Sequence, residues 1–451
     1  MSTLSVPPEN GSMAFDEFQR KVSELPRRAP PTTLSPEEQV ARAKGVMISK
    51  LDSRLAMELE TCIHCGMCSE ACHFFEATQN PKYTPIHKVH LVRSVYRREL
   101  SPLRWFNRLF IRDITAKDLN DWQELLFNSC TECGRCDLMC PLGIQITRGI
   151  RIGRQALAAA DLMPPELRAL DEEQTQKNTL FDVGAEQLRE AVKTLANEGI
   201  VVPLDRPQAD VLLLTTVSDL LLYRQSFAAT ARILGKLGLD WTIRSDAFEA
   251  SNFGVLSGNE DSQMLTAKRI MDAARACMVK LVIVPECGHA YPALRFDAPE
   301  EFAERPPFEV MAISEFIGRE IKAGRLKVKK IGAGKKVTYH DPCKLGRHGG
   351  VFKEPRIALE ALGVDFREME SHGKTQYCCG GGGGVFMLSG SDELRRRTFD
   401  IKMRQVENSG ADSVVTSCDT CRMTFVRGSK LVNWDRPVES LVELVAANLA
   451  D

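Results

Sequence analysis

Residues 377–385 read YCCGGGGGV, two adjacent cysteines followed by five glycines. A disulfide between such neighbours is strained, because the bond wants its two Cα atoms further apart than most adjacent pairs allow. Metal ligation suits the pair better. Glycines permit positive φ and let backbone N–H groups come close to an anionic centre. A flexible glycine linker is the plain alternative, but linkers seldom begin with paired cysteines. The chain has 15 cysteines in 451 residues. Its first residues, MSTLSVPPENGS, lack the charged-then-apolar order of a secretory signal, and the longest apolar runs, such as VLLLTTV at 211–217, are strand-sized. The expectation is a cytoplasmic protein. Thiols there stay reduced, so metal ligation or redox chemistry is the default use of so many.

Thirteen of the 15 cysteines fall into patterned groups. CIHCGMCSEAC sets Cys62, Cys65, Cys68 and Cys72 at CxxCxxCxxxC spacing, and CTECGRCDLMCP repeats it at Cys130, Cys133, Cys136 and Cys140, followed by Pro141. Such spacing wraps three thiolates round one corner of an iron–sulfur cube, while the fourth cysteine reaches the other cluster. The expected ligand sets are Cys62, Cys65, Cys68 and Cys140 for one 4Fe-4S cluster, and Cys130, Cys133, Cys136 and Cys72 for the other. Zinc is the competing reading, but zinc sites use paired ligands with a longer gap between pairs, and a triple run oversupplies them. His73 stands where two-cluster ferredoxins usually have proline; it changes backbone stiffness without removing a ligand. His64, inside the first motif, is expected to tune the cluster by hydrogen bonding rather than to ligate iron.

Elements to position these groups follow from the periodicity. LGKLGLDW at 234–241 matches LEALGVDF at 359–366 at a constant offset of 125, which reads as two copies of one unit. Strand-like runs at 210–217, 281–286, 336–342 and 413–418 alternate with helical stretches, the pattern of α/β layers with parallel strands. HDPC at 340–343, CCG at 378–380 and CDTC at 418–421 all fall in the second copy. Ligands collect in the crevice at the carboxyl edge of such a sheet. At matching positions the first copy has Ser218 for Cys343, Asn252 and Phe253 for the cysteine pair, Gly254 for Gly380, and Cys287 and Ala290 for Cys418 and Cys421. It keeps the fold and loses most ligands.

The order Cys, CCG, CxxC behind a two-cluster ferredoxin module resembles the CCG-domain iron–sulfur oxidoreductases. HDPCKLGRHGG with YCCGGGGGV is similar to their catalytic iron–sulfur subunits of the heterodisulfide reductase HdrD type and the DsrK type. The resemblance spans about residues 50–430 by motif order. It implies a noncubane 4Fe-4S cluster on Cys343, Cys378, Cys379, Cys418 and Cys421, at which a disulfide or persulfide is reductively opened. Adjacent thiolates then bind different irons or bridge two, and glycines 380–384 leave room for a bulky sulfur substrate. The fold class expected is a multidomain α+β/α/β chain: an α-helical two-cluster ferredoxin-like module, then two pseudo-repeated α/β CCG domains. The divisions are a mostly disordered arm at 1–45 with a short helix around MAFDEFQRKV, the ferredoxin-like domain at 46–200, a degenerate CCG-type domain at 205–329 and a complete one at 330–451.

Lys and Arg number 59 against 60 Asp and Glu, so nothing global favours nucleic acid or an anionic membrane. The exception is local: VRSVYRRELSPLRWFNRLFIRD at 92–113 interleaves Arg with Trp, Phe and Leu. It reads as an amphipathic helix packed on the cubes, or as a surface resting on a membrane or a membrane-embedded partner. His340 and His348 flank Cys343 as proton donors or as loop-orienting residues, and His289 beside Cys287 is open to the same two readings. Cys277 reads as a small core residue. No Gly-rich dinucleotide fingerprint follows a strand, so no flavin or nicotinamide is expected on this chain. Two function classes remain. One is a heterodisulfide reductase-like enzyme subunit acting on a thiol/disulfide protein or small-molecule sulfur substrate. The other is an electron-transfer iron–sulfur subunit of a flavin-linked dehydrogenase, as in glycolate or lactate oxidation, passing electrons to quinone. Either needs redox partners: a membrane quinone- or haem-binding subunit, or a flavoprotein, placing the chain at the inner face of the membrane.

Overall fold

The computed structural model describes residues 15–303 and 305–450. Helices fill the chain to Asn197, and two sheets follow: β1 (Val211–Leu213), β2 (Trp241–Thr242), β3 (Leu281–Val284) and β4 (Glu309–Ala312), then β5 (Lys336–His340), β6 (Asp365–Phe366), β7 (Ser413–Thr416) and β8 (Val438–Ser440). The sheets run in the orders β2-β1-β3-β4 and β6-β5-β7-β8, every pairing parallel. Both have the same arrangement, with helices between consecutive strands as parallel pairing demands.

The four strand-like runs of the sequence are the inner strands β1, β3, β5 and β7. Each ends earlier than its apolar run. Thr216 turns to cap the helix Val217–Leu221, and Pro285 and Pro342, having no N–H for the ladder, close β3 and β5. The residues freed at these carboxyl ends are the ones that carry chemistry.

The short helix expected around MAFDEFQRKV falls on Phe15–Ser23, and the correction concerns the rest of the arm. Residues 1–14, with PPENGS, lie outside the described residues, but the rest of 1–45 is not a disordered stretch. Phe15–Ser23 is a helix that buries Phe18 and Val22 among Tyr223, Phe386 and Met423, Phe18 meeting Phe181 edge-on at 5.4 Å. Pro36–Lys50 is a second helix, opened by a capping box of Ser35 and Glu38. Its Ala43 and Met47 are fully buried where it packs on Ile146–Ala159. Apolar residues spaced for one helix face outweigh the proline content around them. Among the described residues no helix is long and apolar enough to cross a membrane.

Candidate metal centres

The two CxxCxxC loops fold alike. His64 and Glu132, third in their motifs, take positive φ of 56° and 49°, and Gly66 and Gly134 follow at 84° and 75°. These glycines start the short helices Met67–Ala71 and Arg135–Met139, which pack against each other; Cys72 and Cys140 are their C-caps. That pairing carries each fourth cysteine across. Cys68 lies in the field of Cys62, Cys140 and Cys65, and Cys136 in that of Cys133, Cys130 and Cys72. Cys65 is exposed, whereas Cys130 and Cys136 are buried. Burial pushes the Cys130 thiol up to about 11, against the pull of Lys88 and Arg154. The first loop therefore faces solvent and the second faces the protein.

The second loop is clamped by the last sheet's loops. Arg347 donates to the Cys133 carbonyl at 2.7 Å, His348 Nε2 meets the Glu132 carbonyl at 3.1 Å, and a Cβ on Gly383 would lie 2.8 Å from the Thr131 carbonyl carbon. The glycine run thus gives close approach and positive φ, at 97°, 60° and 83° for Gly380, Gly383 and Gly384. It also lines the cavity, so packing against the second loop joins the expected room for a substrate.

Cys343 heads the turn Lys344–His348 after β5, Cys418 caps the helix Asp419–Val432 after β7, and Cys421 sits in that helix's first turn. Cys378 and Cys379 come up beneath them. Sγ of Cys343 is 3.9 Å from that of Cys378, and Sγ of Cys379 is 3.4 Å from that of Cys421. All five are between 2% and 6% exposed. Hydrogen bonds from Cys421 and from the backbone of Cys421, Gly288 and Thr420 bring Cys418 down to about 7 despite burial. Hydrogen bonds from Cys378 and Cys421 hold Cys379 well below the usual thiol range. Cys133 of the second loop packs against the buried cluster that holds all five. Hydrogen bonding to Cys378 pushes the Cys343 thiol well above the usual range, and hydrogen bonding to Cys379 and Cys418 does the same to Cys421. The set is buried and soft, with thiols sharing protons among themselves, which suits an iron–sulfur centre.

An apolar cavity opens beside these thiols, lined by Cys343, Cys379, Cys418 and Cys421 on one side and by Ser218, Phe253, Cys287 and His289 of the first sheet's loops on the other. Ser218, Phe253 and Cys287 of the first sheet's loops thus face the cysteines carried by the second. Gly288 is where the two meet, a Cβ there falling 3.2 Å from Cys418 Sγ. His289 accepts from the Asn252 N–H at 3.2 Å and turns Nδ1 to Cys287 Sγ at 3.6 Å; burial pushes it down to about 4. Cys277 packs in the core at 1% exposure.

Several polar residues here make contacts that the sequence does not signal. Arg154 and Glu132 form a buried pair at 3.8 Å, with Lys344 3.6 Å from the same carboxylate. Burial opposes ionisation of Glu132, yet Arg154 and Lys344 outweigh it and bring the carboxyl to about 2. His73, at 2% exposure, lies beside Cys133 and opposes the rise that Cys378 and burial impose on that thiol. His64 pairs with Arg93. His348 is spent on the Glu132 loop. His340 has 1% exposure, and among the described residues neither ring nitrogen has a hydrogen-bond partner.

Comparison with known proteins defines the class. A model of the cysteine-rich CCG domain matches residues 337–426, and one of a 4Fe-4S dicluster domain matches 58–144. The chain thus carries a 4Fe-4S dicluster domain followed by a cysteine-rich CCG domain, and it resembles the HdrD component of heterodisulfide reductase. It is 28% identical over 404 residues to that component of the dihydromethanophenazine:CoB–CoM heterodisulfide reductase of Methanosarcina mazei, covering 87% of this chain and 94% of that one. It is 27% identical to the Hdr-like menaquinol oxidoreductase iron-sulfur subunit 2 of Archaeoglobus fulgidus, over 84% of this chain and 77% of that one. The EtfAB:quinone oxidoreductase of Syntrophomonas wolfei is 28% identical, with 83% of this chain and 56% of that protein covered.

Proposed function

We propose that the chain carries electrons through two cubane 4Fe-4S clusters to or from a noncubane 4Fe-4S site where a disulfide, persulfide or related sulfur substrate is cleaved or formed. Cys62, Cys65, Cys68 and Cys140 hold the outer cubane, Cys130, Cys133, Cys136 and Cys72 the inner one, and Cys343, Cys378, Cys379, Cys418 and Cys421 the third centre. The two α/β units are copies of one ancestral unit, the first degenerate. One observation carries the reading: Cys133, a ligand of the inner cubane, packs against the buried cluster that holds all five cysteines of the third set, so the path from the exposed Cys65 loop ends at a buried cavity.

An iron–sulfur centre there supplies soft metal for sulfur and takes electrons one at a time. Opening an S–S bond consumes two electrons and two protons and yields two thiols. The chain's own residues shape that step. Gly380 N–H donates to Cys378 at 3.4 Å and the Gly381 backbone to Cys379, the apolar walls exclude water, and Lys344 on the cavity wall offers a positive charge to a product thiolate. Electrons enter or leave through a redox partner at the exposed first loop, beside the uncovered apolar face of 103–110. A membrane partner there would hold the chain at the membrane's inner face.

Cys379→Ala is expected to abolish disulfide-dependent turnover while both cubane centres stay reducible, read by anaerobic spectroscopy. Unchanged turnover would leave the third set structural and the chain a conduit between a flavin-linked dehydrogenase and quinone.

A further inference from the structure

The cysteines do not account for the whole donor set at the third site. His340 is the last residue of β5, its carbonyl held by the Thr416 hydroxyl at 3.1 Å, and its ring stands edge-on to Phe425 at 5.3 Å. Strand and aromatic wall together fix where the imidazole lies. A ring nitrogen of His340 and the sulfurs of Cys379 and Cys421 all fall within 4.8 Å of one another. Donors about 2.0–2.3 Å from one tetrahedral metal sit roughly 3.6 Å apart; the two sulfurs are 3.4 Å apart, and the triangle is compact enough to close on one metal.

A neutral imidazole carries one N–H and one lone pair. Both ring nitrogens of His340 are buried without a partner among the described residues, and buried polar atoms of native proteins are otherwise satisfied. Something outside the polypeptide completes them. The first unit gives an internal contrast: at the offset of 125 residues, Thr215 occupies the position of His340, in the unit that also lacks the paired cysteines.

We propose that His340 is a sixth protein ligand of the third centre, a nitrogen donor to the metal atom bound by Cys379 and Cys421. The site is then a mixed cysteine/histidine centre, with one iron in a nitrogen-containing environment. This rests on the reading that the CCG cysteines hold iron.

The test is pulsed electron paramagnetic resonance on the full chain, anaerobically reconstituted with iron and sulfide and labelled with ¹⁵N-histidine. The expected result is a nitrogen coupling on the third centre's signal of the size of directly bound imidazole, absent from His340→Gln while the cubane signals are unchanged. Only the weak couplings of distant nitrogens in the labelled parent protein would overturn the proposal and leave His340 as a hydrogen-bond donor to sulfur; that spectrum requires no variant to fold. Iron stopping at about eight atoms per chain, the content of two cubanes, would instead remove the third centre itself, and this ligand with it.

Discussion

Arg154 has no solvent exposure, and it donates to the carbonyls of Leu126 at 2.8 Å and Cys130 at 2.8 Å in the helical module, Leu256 at 3.1 Å in the first α/β unit, and Gly383 at 2.8 Å in the second. One side chain therefore staples three parts of the chain around the inner cysteine loop and neutralises Glu132. Arg154→Met is expected to destabilise by about 3–5 kcal/mol, because it leaves buried Glu132 with Lys344 alone and four carbonyls without their donor; anaerobic urea unfolding measures it. Arg135 acts differently. It donates to the Ala71 carbonyl at 2.9 Å and stacks on Tyr377 at 3.7 Å, next to Cys72 and Cys378. Arg148, Arg151 and Arg154 are matched by Asp52, Asp297 and Glu132, so of the arginines in and just after the second motif Arg135 is the one left to join Lys88 and Arg347 in favouring the reduced state of the proposed inner cubane. Buried charge is poorly screened. Arg135→Gln is expected to lower the higher-potential signal in a redox titration followed by paramagnetic resonance; an unmoved signal would mean that charge placement does not order the two cubanes.

At the scale of elements, the segment 92–113 is two helical stretches rather than one, the first ending at Leu100 and the second starting at Arg104. Arg97 reaches Glu60 and Arg93 reaches His64, tying the segment to the first cysteine loop. The helix Arg104–Phe110 leaves Trp105 69%, Leu109 73% and Phe110 74% exposed. Uncovered apolar patches of this kind mark interaction sites. Replacing Trp105, Leu109 and Phe110 by serine or glutamine is expected to keep iron content and move the protein from the membrane to the soluble fraction of its native cells; retention at the membrane would refute docking through this face. The sequence marks inner strands well, since VLL, LVIV and SVVT are continuous apolar runs. It leaves the edge strands unmarked, because β2 and β6 are two residues long and carry no period to read.

Across the whole molecule, the ligand cysteines stand out by spacing, whereas His340, Glu132 and Arg154 take their meaning from contacts formed only when distant segments meet. The junction of the two α/β units also collects carboxyls. Burial pushes Glu249 up to about 7 and Glu286 to about 8, while unfolded carboxyls titrate near roughly 4.3. The folded state therefore binds protons more tightly, and this contribution to stability is full below roughly pH 4.3 and lost as pH rises through about 7 to 8. The unfolding free energy of the metal-free chain is expected to fall over that rise, and less so in Glu249→Gln/Glu286→Gln. A double variant with the parent's pH profile would show that neither carboxyl is held protonated.

The whole electron path depends on the five cysteines at the shared cavity holding iron. Iron and sulfide analysis of anaerobically purified protein measures this directly. Three 4Fe-4S centres require about twelve iron atoms per chain, falling to about eight in Cys379→Ala. About eight in the parent protein after full reconstitution, unchanged by that substitution, would contradict it.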